Sequence, residues 1–148
     1  MSERVVMAAR RWLGTPYRHQ ASVPGAGCDC LGLVRGVWRE VVGAESMAVP
    51  PYRQSARDPA HMDGLRLAAE RLLIPAEGPV EAGQVVLFRL EGMSEPRHCG
   101  IMVSANRFIH AQEGLGVVEA SLGGWGRRVW GRYRFPEPGA ETPASPSC

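Results

Sequence analysis

The chain has 148 residues, of which 45% are hydrophobic and 22% are charged, and its formal net charge is +2. This length suits one domain with its own core, and the small net charge argues against a nucleic-acid-binding protein. The 4 cysteines, at positions 28, 30, 99 and 148, lack the paired spacing of a secreted disulfide framework. The N-terminus carries charges throughout, and no apolar run approaches the ~20 residues of a membrane span. We therefore expect synthesis in the cytoplasm, no signal peptide and no membrane insertion.

The N-terminal segment predicts a helix followed by a long loop. An apolar face predicts the helix over residues 2–13, with Ser2 as its N-cap, and Gly14-Thr15-Pro16 ends it. Residues 17–28 are rich in Gly, Ala and Pro and predict a loop. A loop of this length is usually functional or mobile.

Cys30 begins the second predicted helix. Apolar residues follow it at the i, i+3, i+4, i+7 spacing of one helix face, with Asp29 as N-cap and Gly43 as the stop after about Val42. A thiol in the first turn lies near unpaired backbone N–H groups and the positive end of the helix dipole, which both stabilise a thiolate. Cys28 lies outside the helix, at the end of a flexible loop, where no dipole lowers its pKa. The sequence therefore predicts Cys30, and not Cys28, as a nucleophile.

The second half of the chain changes from helical to strand periodicity. An irregular stretch around residues 49–52 precedes a third helix, which opens at Asp58-Pro59 and runs to Leu73. Strands are then predicted over residues 84–88, 97–103, 107–111, 116–120 and 127–135. Helices followed by a strand meander predict an α+β domain over residues 1–135. Residues 136–148 are rich in Pro, Ala, Ser and Glu, and we expect this tail to be disordered.

Three segments, in this order, resemble motifs of the NlpC family of papain-like cysteine peptidases. They are the helix start Asp29-Cys30-Leu31-Gly32-Leu33-Val34, the strand start His98-x-Gly-Ile, and Phe108-Ile109-His110-Ala111. The segments 14–18 and 83–88 also match, so the resemblance covers most of residues 5–135. The form Gly27-Cys28-Asp29-Cys30-Leu31-Gly32 is most similar to the subgroup found in tailed-phage and gene transfer agent tail clusters.

The resemblance implies a papain-like NlpC fold, with N-terminal helices packed on an antiparallel sheet of five to six strands. It implies hydrolysis of amide bonds in the stem peptides of bacterial peptidoglycan, often the bond from D-Glu to diaminopimelate, with no metal or other cofactor. The subgroup implies a place at the tip of a phage-like tail, where tail or baseplate proteins are partners and the cell wall is the substrate.

The resemblance also implies roles for individual residues. Cys30 corresponds to the nucleophile, His98 to the general base and His110 to the residue that orients this base. Tyr17 corresponds to a tyrosine whose hydroxyl lies near the nucleophile, and Asp29 corresponds to an aspartate that helps to bind the substrate amine.

A Cys–His pair suits amide hydrolysis at neutral pH, because the pKa values of thiol and imidazole lie close together. His98 begins a strand and His110 ends its hairpin partner, so the two side chains are predicted to be neighbours. Backbone N–H groups at the start of the Cys30 helix, with the Tyr17 hydroxyl, are predicted to meet the oxyanion. One departure from the family is Leu31, which stands where a Ser is common and bears on substrate contacts.

Three other functions remain open at this point. The side chains of Cys28, Cys30, His98 and Cys99 are a conceivable zinc set, although Cys-x-Cys is not the usual ligand gap and adjacent strand residues face opposite sides. The second is a non-catalytic tail adaptor or plug with the same fold, and the third is amidase or acyltransferase chemistry on another amide.

The remaining candidate residues are interpreted without a catalytic role. Apart from the zinc alternative, Cys28 and Cys99 are taken as structural or incidental. His19 on the loop and His61 on the third helix are taken as surface residues. The helix glycines 32 and 36 are predicted to be positions of close packing.

Overall fold

The structure, a computed structural model, describes residues 1–45 and 64–139. In these residues, three helices pack against a six-stranded antiparallel sheet, which confirms the predicted fold class. In the same part of the chain, no helix is both long enough and apolar enough to cross a membrane.

Four predictions fall wholly or partly outside the described residues. They concern the stretch 49–52, the helix start at Asp58-Pro59, His61 and the tail from residue 140 onward. Just before that point, the N–H of Gly139 donates a hydrogen bond to the Val42 carbonyl oxygen, 2.8 Å away.

The first helix, α1, spans Ser2–Arg10, and its N-cap lies one residue before the predicted one. Met1 is the N-cap and makes no side-chain cap bond, so the prediction of Ser2 as N-cap is wrong. The Met1 carbonyl already accepts from the Val5 N–H at 3.1 Å, which places Ser2 inside the first turn. Beyond Arg10 the chain continues through bonds to carbonyls three residues earlier, so the predicted end at residue 13 marks a tightened last turn.

The second helix, α2, spans Cys30–Val41, close to its predicted limits, and forms the centre of the core. A Cβ at Gly36 would overlap the indole ring of Trp12, so only glycine lets α1 and α2 approach this closely. On its other side, the Trp38 Nε1–H donates to the Leu72 carbonyl at 2.8 Å and joins α2 to α3 (Gly64–Leu72). The prediction of Gly36 as a close-packing position is confirmed.

The sheet has the strand order β3-β8-β4-β5-β6-β7, and every pair is antiparallel. Its strands are β3 (Ile74–Pro75), β4 (Val85–Arg89), β5 (Pro96–Met102), β6 (Arg107–Gln112), β7 (Gly116–Ser121) and β8 (Val129–Arg134). A 3₁₀ helix, Gly123–Arg128, precedes β8 and replaces the start of the fifth predicted strand. The short β3 was not predicted, because two residues show no alternation.

The predicted loop 17–28 is ordered by a two-stranded ribbon, β1 (Ser22–Val23) and β2 (Gly27–Cys28). Tyr17 forms a further bridge with Cys28. Cys28 is 0% exposed, its N–H donates to the Pro16 carbonyl and its own carbonyl accepts from Arg18, both at 3.0 Å. The prediction that Cys28 ends a flexible loop is therefore wrong.

Each face of the sheet has its own apolar layer. One face carries Val85, Leu87, Ile101 and Ile109 and packs in the same cluster as α2. The opposite face carries Val86, Phe88, Met102 and Phe108, with Trp125 of the 3₁₀ helix packed against them. This alternation follows from the period of two in a strand.

The β5–β6 ladder covers only part of the two strands. Its recorded pairs are Ile101↔Ile109 and Met102↔Phe108, so His98 and His110 lie beyond the paired section. Both neighbours of β4 also change register at Phe88, which pairs with His98. Irregular pairing of this kind re-aims side chains at the edge of active sites.

Candidate active site

Asp29 is the N-cap of α2 and fixes the start of the helix. Its Oδ1 atom accepts from the Gly32 N–H at 2.7 Å, and its Oδ2 atom accepts from the Gln20 N–H at 2.6 Å. Gln20 reaches this position with a φ of 63°, a left-handed conformation that costs of order 1 kcal/mol for a residue with a Cβ. The predicted cap is confirmed, and one carboxylate joins the loop to the helix that carries Cys30.

Gly32 brings the loop into direct contact with the first turn of α2. A Cβ at this position would overlap the carbonyl oxygen of Ala21. The Ser22 hydroxyl also donates to the Gly32 carbonyl at 2.6 Å. The prediction of close packing at Gly32 is confirmed, and the helix start is held from two directions.

The Cys30 side chain lies at the N-terminus of α2, between two hydrogen-bonding side chains. A hydrogen bond from the Cys99 thiol lowers the pKa of Cys30 most, burial opposes it, and hydrogen bonding to His98 with its charge lowers it further, to about 5. The same hydrogen bond, with burial, raises the pKa of Cys99, so Cys99 is the donor. These contacts therefore favour the thiolate form of Cys30.

Cys99 was interpreted as structural or incidental, and the structure places its thiol against the nucleophile. It is 1% exposed and lies on the face of β5 that packs against α2. Nothing in the local sequence signals this contact, since it depends on how α2 docks onto the sheet.

Cys28 has the opposite electrostatic environment. Burial, followed by the charges of Asp29 and Cys30, raises the pKa of Cys28 to about 12. A thiol with this pKa is protonated at neutral pH and a poor nucleophile. The geometry thus favours Cys30 over Cys28, as predicted.

His98 and His110 are in direct contact. The Nε2 atom of His98 lies 2.7 Å from the Nδ1 atom of His110. Since Nε2 is engaged there, Nδ1 is the nitrogen of His98 that remains for the Cys30 sulfur. The two predicted neighbours are therefore brought together, and His98 is held between the nucleophile and His110.

His110 is a buried, neutral ring. It is 1% exposed, and burial together with the charge of His98 lowers the pKa of His110 to about 4. A neutral ring can accept at Nδ1, which is what a base needs in order to hold a proton on Nε2 of His98. Its own Nε2 atom is buried and has no hydrogen-bond partner within residues 1–45 and 64–139.

Aromatic rings surround the two histidines. The indole of Trp125 lies 5.6 Å from the ring centroid of His98 and 5.6 Å from that of His110. Phe88 stacks on His98 at 6.0 Å, and Phe108 lies 4.7 Å from His110. Rings in these positions exclude water and restrict the imidazole planes.

Trp125 was not among the predicted site residues. It lies on the 3₁₀ helix in the segment Gly123-Gly124-Trp125-Gly126. A large aromatic residue among three glycines is a sequence signal that a ring is placed against something, although the sequence does not say against what.

Tyr17 and Asp29 are the other two predicted site residues. Burial raises the pKa of Tyr17, and the charge of Cys30 raises it further, so the phenol stays protonated and can donate a hydrogen bond. The Asp29 side chain is 2% exposed, and each of its oxygens already accepts a backbone N–H. The role of Asp29 in binding a substrate amine stays a prediction.

The positions of Leu31 and His19 in the structure differ from their interpretation in the sequence. Leu31 is 4% exposed and lies with Ala68 and Leu72 around a small apolar cavity, so this side chain belongs to the α2–α3 contact. His19, interpreted as a surface residue, is half-buried, with its Nδ1 atom 3.8 Å from Oδ2 of Asp29.

Backbone donors are available beside the nucleophile. The cap uses the N–H groups of Gly32 and Leu33, which bond to the side chain and carbonyl of Asp29. The Cys30 N–H precedes them at the first helical position, where it has no intrahelical partner. This N–H is therefore placed to donate a hydrogen bond to the oxyanion that forms when Cys30 attacks a carbonyl group.

The zinc alternative concerned Cys28, Cys30, His98 and Cys99. Within the described residues, no group of three or more His, Cys, Asp or Glu side chains is arranged to hold a metal ion.

The sequence model of the NlpC/P60 family matches residues 14–134. The chain belongs to the NlpC/P60 family. The match contains all five predicted site residues, from Tyr17 to His110. The predicted family is confirmed.

Two curated relatives illustrate the similarity. Gamma-DL-glutamyl hydrolase of Bacillus subtilis strain 168 is 28% identical over 133 residues, covering 88% of this chain and 29% of the relative. Murein DD-endopeptidase MepS/Murein LD-carboxypeptidase of Escherichia coli K12 is 29% identical over 122 residues, covering 82% of this chain and 55% of the relative. The chain thus spans between 29% and 55% of the length of these two proteins.

A solved NlpC/P60 family protein from Bacillus cereus ATCC 10987 has the same fold. It superposes with a TM-score of 0.63 at 16% identity, covering 91% of this chain and 40% of that chain. At this level of identity, the likeness establishes the architecture and nothing about the substrate.

Proposed function

We propose that this chain is a cysteine peptidase that cleaves amide bonds in the stem peptides of peptidoglycan. One observation carries the proposal: His98, whose hydrogen bonding and charge lower the pKa of Cys30, has its Nε2 atom 2.7 Å from Nδ1 of the buried His110 ring. A thiolate, a base and a group that holds the base are the three parts that acyl transfer through a cysteine requires.

The mechanism follows from these contacts. The Cys30 thiolate attacks the scissile carbonyl, and the oxyanion is met by the Cys30 N–H and the Tyr17 phenol. Protonated His98 then donates its Nδ1 proton to the leaving amine, which leaves an acyl group on the sulfur. In the second half-reaction, neutral His98 removes a proton from water, the hydroxide attacks the thioester, and Cys30 leaves as the thiolate.

His110 accepts from Nε2–H of His98 throughout this sequence. This hydrogen bond keeps the basic lone pair of neutral His98 on Nδ1, toward the sulfur and the water. Because the pKa of His110 is lowered to about 4, His110 does not compete for the proton at neutral pH. Its role is to position His98.

The substrate class is supported by the relatives. One is named a murein endopeptidase and another a gamma-DL-glutamyl hydrolase. The second name refers to a glutamyl amide, and the bond from D-Glu to diaminopimelate that the sequence resemblance implies is also a glutamyl amide. We therefore propose this bond as the one that is cut.

We also propose that the protein acts at the tip of a phage-like tail and meets the cell wall there. The support is the segment Gly27-Cys28-Asp29-Cys30-Leu31-Gly32, which is similar to the form found in tail gene clusters. Tail or baseplate proteins are then its partners. Fractionation tests this: the protein should co-purify with tail particles, and a freely dispersed periplasmic enzyme would contradict it.

The decisive experiment is digestion of purified peptidoglycan, with the products separated and identified by mass. Cleavage should expose a new amino group on diaminopimelate with the wild-type protein and none with Cys30→Ala. Tight binding to tail particles without any cleavage would favour an adaptor or plug. Products cut at another amide would favour amidase or acyltransferase chemistry.

A metal assay separates the remaining alternative. A thiol peptidase should keep its activity in a chelator and lose it on alkylation of Cys30. Loss in the chelator with recovery on adding zinc would instead indicate a metal hydrolase.

A further inference from the structure

A cavity of about 380 Å³ lies beside the 3₁₀ helix and the end of β4. Arg89 ends β4, Arg127 and Arg128 end the 3₁₀ helix, and all three line this cavity. Glu91 is the acidic residue on its wall, so the lining residues carry a net charge of +2. We call it the arginine cavity.

The arginines of this cavity differ from most others in the described chain. Arg10 and Arg107 both pair with Glu119, and Arg66 pairs with Glu70 and Glu95. Within residues 1–45 and 64–139, no ion pair or hydrogen bond is formed by the guanidinium groups of Arg89, Arg127 or Arg128. Three guanidinium groups gathered around one concavity with a single carboxylate, that of Glu91, repel one another, and a further anion relieves this repulsion.

Arg128 connects the cavity with the active site. Its guanidinium carbon lies 5.8 Å from the centroid of the Trp125 indole, a cation–π position that restricts the side chain. The same indole lies 5.6 Å from the ring of His98. Arg128 of the cavity wall and the catalytic histidine thus lie against the same indole, so a group bound in the arginine cavity can belong to the molecule that Cys30 cleaves.

We infer that the arginine cavity binds an anionic group, a carboxylate or a phosphate, carried by the polymer whose amide bond Cys30 attacks. This inference rests on the proposed function for the identity of the polymer. Planar, forked guanidinium groups match both anions in a bidentate manner. The cavity therefore determines the chemical class of the bound group, but not which part of the polymer carries this group. Carboxylates come from the stem peptides, and phosphates come from phosphodiester polymers attached to the wall.

The test measures binding without cleavage, with the full chain carrying Cys30→Ala. Insoluble peptidoglycan is prepared in two forms, with its phosphodiester polymers retained or chemically removed. Co-sedimentation is then measured at rising NaCl for Arg127→Gln with Arg128→Gln. The matched control is Arg4→Gln with Arg134→Gln, two exposed arginines without a counter-charge in the described chain that do not line the cavity.

The cavity variant should bind about tenfold more weakly, and the control should bind as the parent does. Loss on both preparations assigns the site to carboxylate, and loss only where phosphate polymers are retained assigns it to phosphate. Equal binding by the cavity and control variants on both preparations overturns the inference. Arg127→Lys with Arg128→Lys should recover part of the binding, which excludes misfolding as the cause.

Failure of this inference is distinguishable from failure of the proposed function. If the wild-type chain does not cleave peptidoglycan, the proposed function fails, whatever the cavity binds. If the wild-type chain cleaves and the cavity variant still binds like the control, only the cavity inference fails.

Discussion

The Nε2 atom of His98 lies 2.7 Å from the Nδ1 atom of His110, and the His110 ring is 1% exposed. Two imidazoles at this distance share one proton, so one ring must be the acceptor. The pKa of His110, lowered to about 4 by burial and by the charge of His98, makes it the acceptor above that pH.

Substitution of the two histidines should therefore have unequal effects. His98→Ala removes the base and should lower kcat by about 10⁴-fold, while His110→Ala should lower it by about 10²-fold. His110→Asn or His110→Gln should retain part of the activity, because either amide can still hydrogen-bond to the ring of His98. A fully active His110→Ala variant would show that His110 does not orient the base.

The alkylation rate of Cys30 should depend on pH through its thiolate. With a pKa of about 5, Cys30 should react at a nearly constant rate at neutral pH and lose reactivity as the pH falls through 5. Cys99→Ala removes the hydrogen bond that lowers this pKa most, so the midpoint should move to higher pH. A pKa one unit higher leaves about ten times less thiolate at a pH below both values.

Cys28→Ala is the matched control for this profile. Cys28 does not contribute to the lowered pKa of Cys30, so the midpoint should stay where it is in the wild-type protein. The measurement is the rate of iodoacetamide labelling between pH 4 and pH 9, read by peptide mass, over the range in which Cys30 and an ordinary thiol differ. An unchanged midpoint in Cys99→Ala would show that His98 and the helix terminus alone set the pKa.

Cys30→Ala should abolish cleavage and leave the fold intact, since Ala suits a helix. Cys28→Ala should keep most of the activity, because the pKa of Cys28 is raised to about 12 and its thiol is buried. At neutral pH a mild thiol reagent should label Cys30 before Cys28. If Cys28→Ala were inactive and Cys30→Ala active, the assignment of the nucleophile would be wrong.

Trp125 should act on the rate through His98 and not through the fold alone. Trp125→Ala opens the His98–His110 hydrogen bond to water and should lower kcat by about tenfold, a loss of roughly 1.4 kcal/mol in the barrier, with a smaller change in KM. Trp125→Phe keeps a ring there and should retain most of the activity. A packing role alone would lower Tm in Trp125→Ala while leaving the pH profile of Cys30 alkylation unchanged.

Gly32→Ala tests the contact between the loop and α2. Its Cβ would overlap the Ala21 carbonyl oxygen, which cannot move freely because the Asp29 N–H bonds to it at 3.4 Å. The free energy of unfolding should fall by about 3 kcal/mol, with Tm lower by about 10 °C. Gly126→Ala, where a Cβ meets nothing within 4 Å, is the control and should change Tm little.

The sequence was sufficient for the parts of the site that depend on local rules. Asp29 as a cap and Cys30 in the first turn follow from capping and periodicity, and in the structure Asp29 caps α2 and Cys30 is its first residue. The neighbouring positions of His98 and His110 follow from strand order and a tight turn between β5 and β6.

The remaining parts depend on contacts that no local pattern encodes. Cys99 meets Cys30 only because α2 docks on one face of β5, and Trp125 reaches the histidines only because the 3₁₀ helix folds over the other face. The ribbon within residues 17–28 has no strand pattern in the sequence, since its strands are two residues long and its order comes from Asp29 and Gly32.

The low pKa of Cys30 is a property of the assembled molecule. The groups that produce it, Cys99 and His98, belong to β5, which is synthesised long after α2. An unfolded chain has an ordinary thiol there, which is protonated and almost unreactive at pH 6. In unfolded copies, Cys30 is thus almost unreactive toward a thiol reagent at that pH. The extent of Cys30 labelling therefore measures the fraction of molecules that have completed folding.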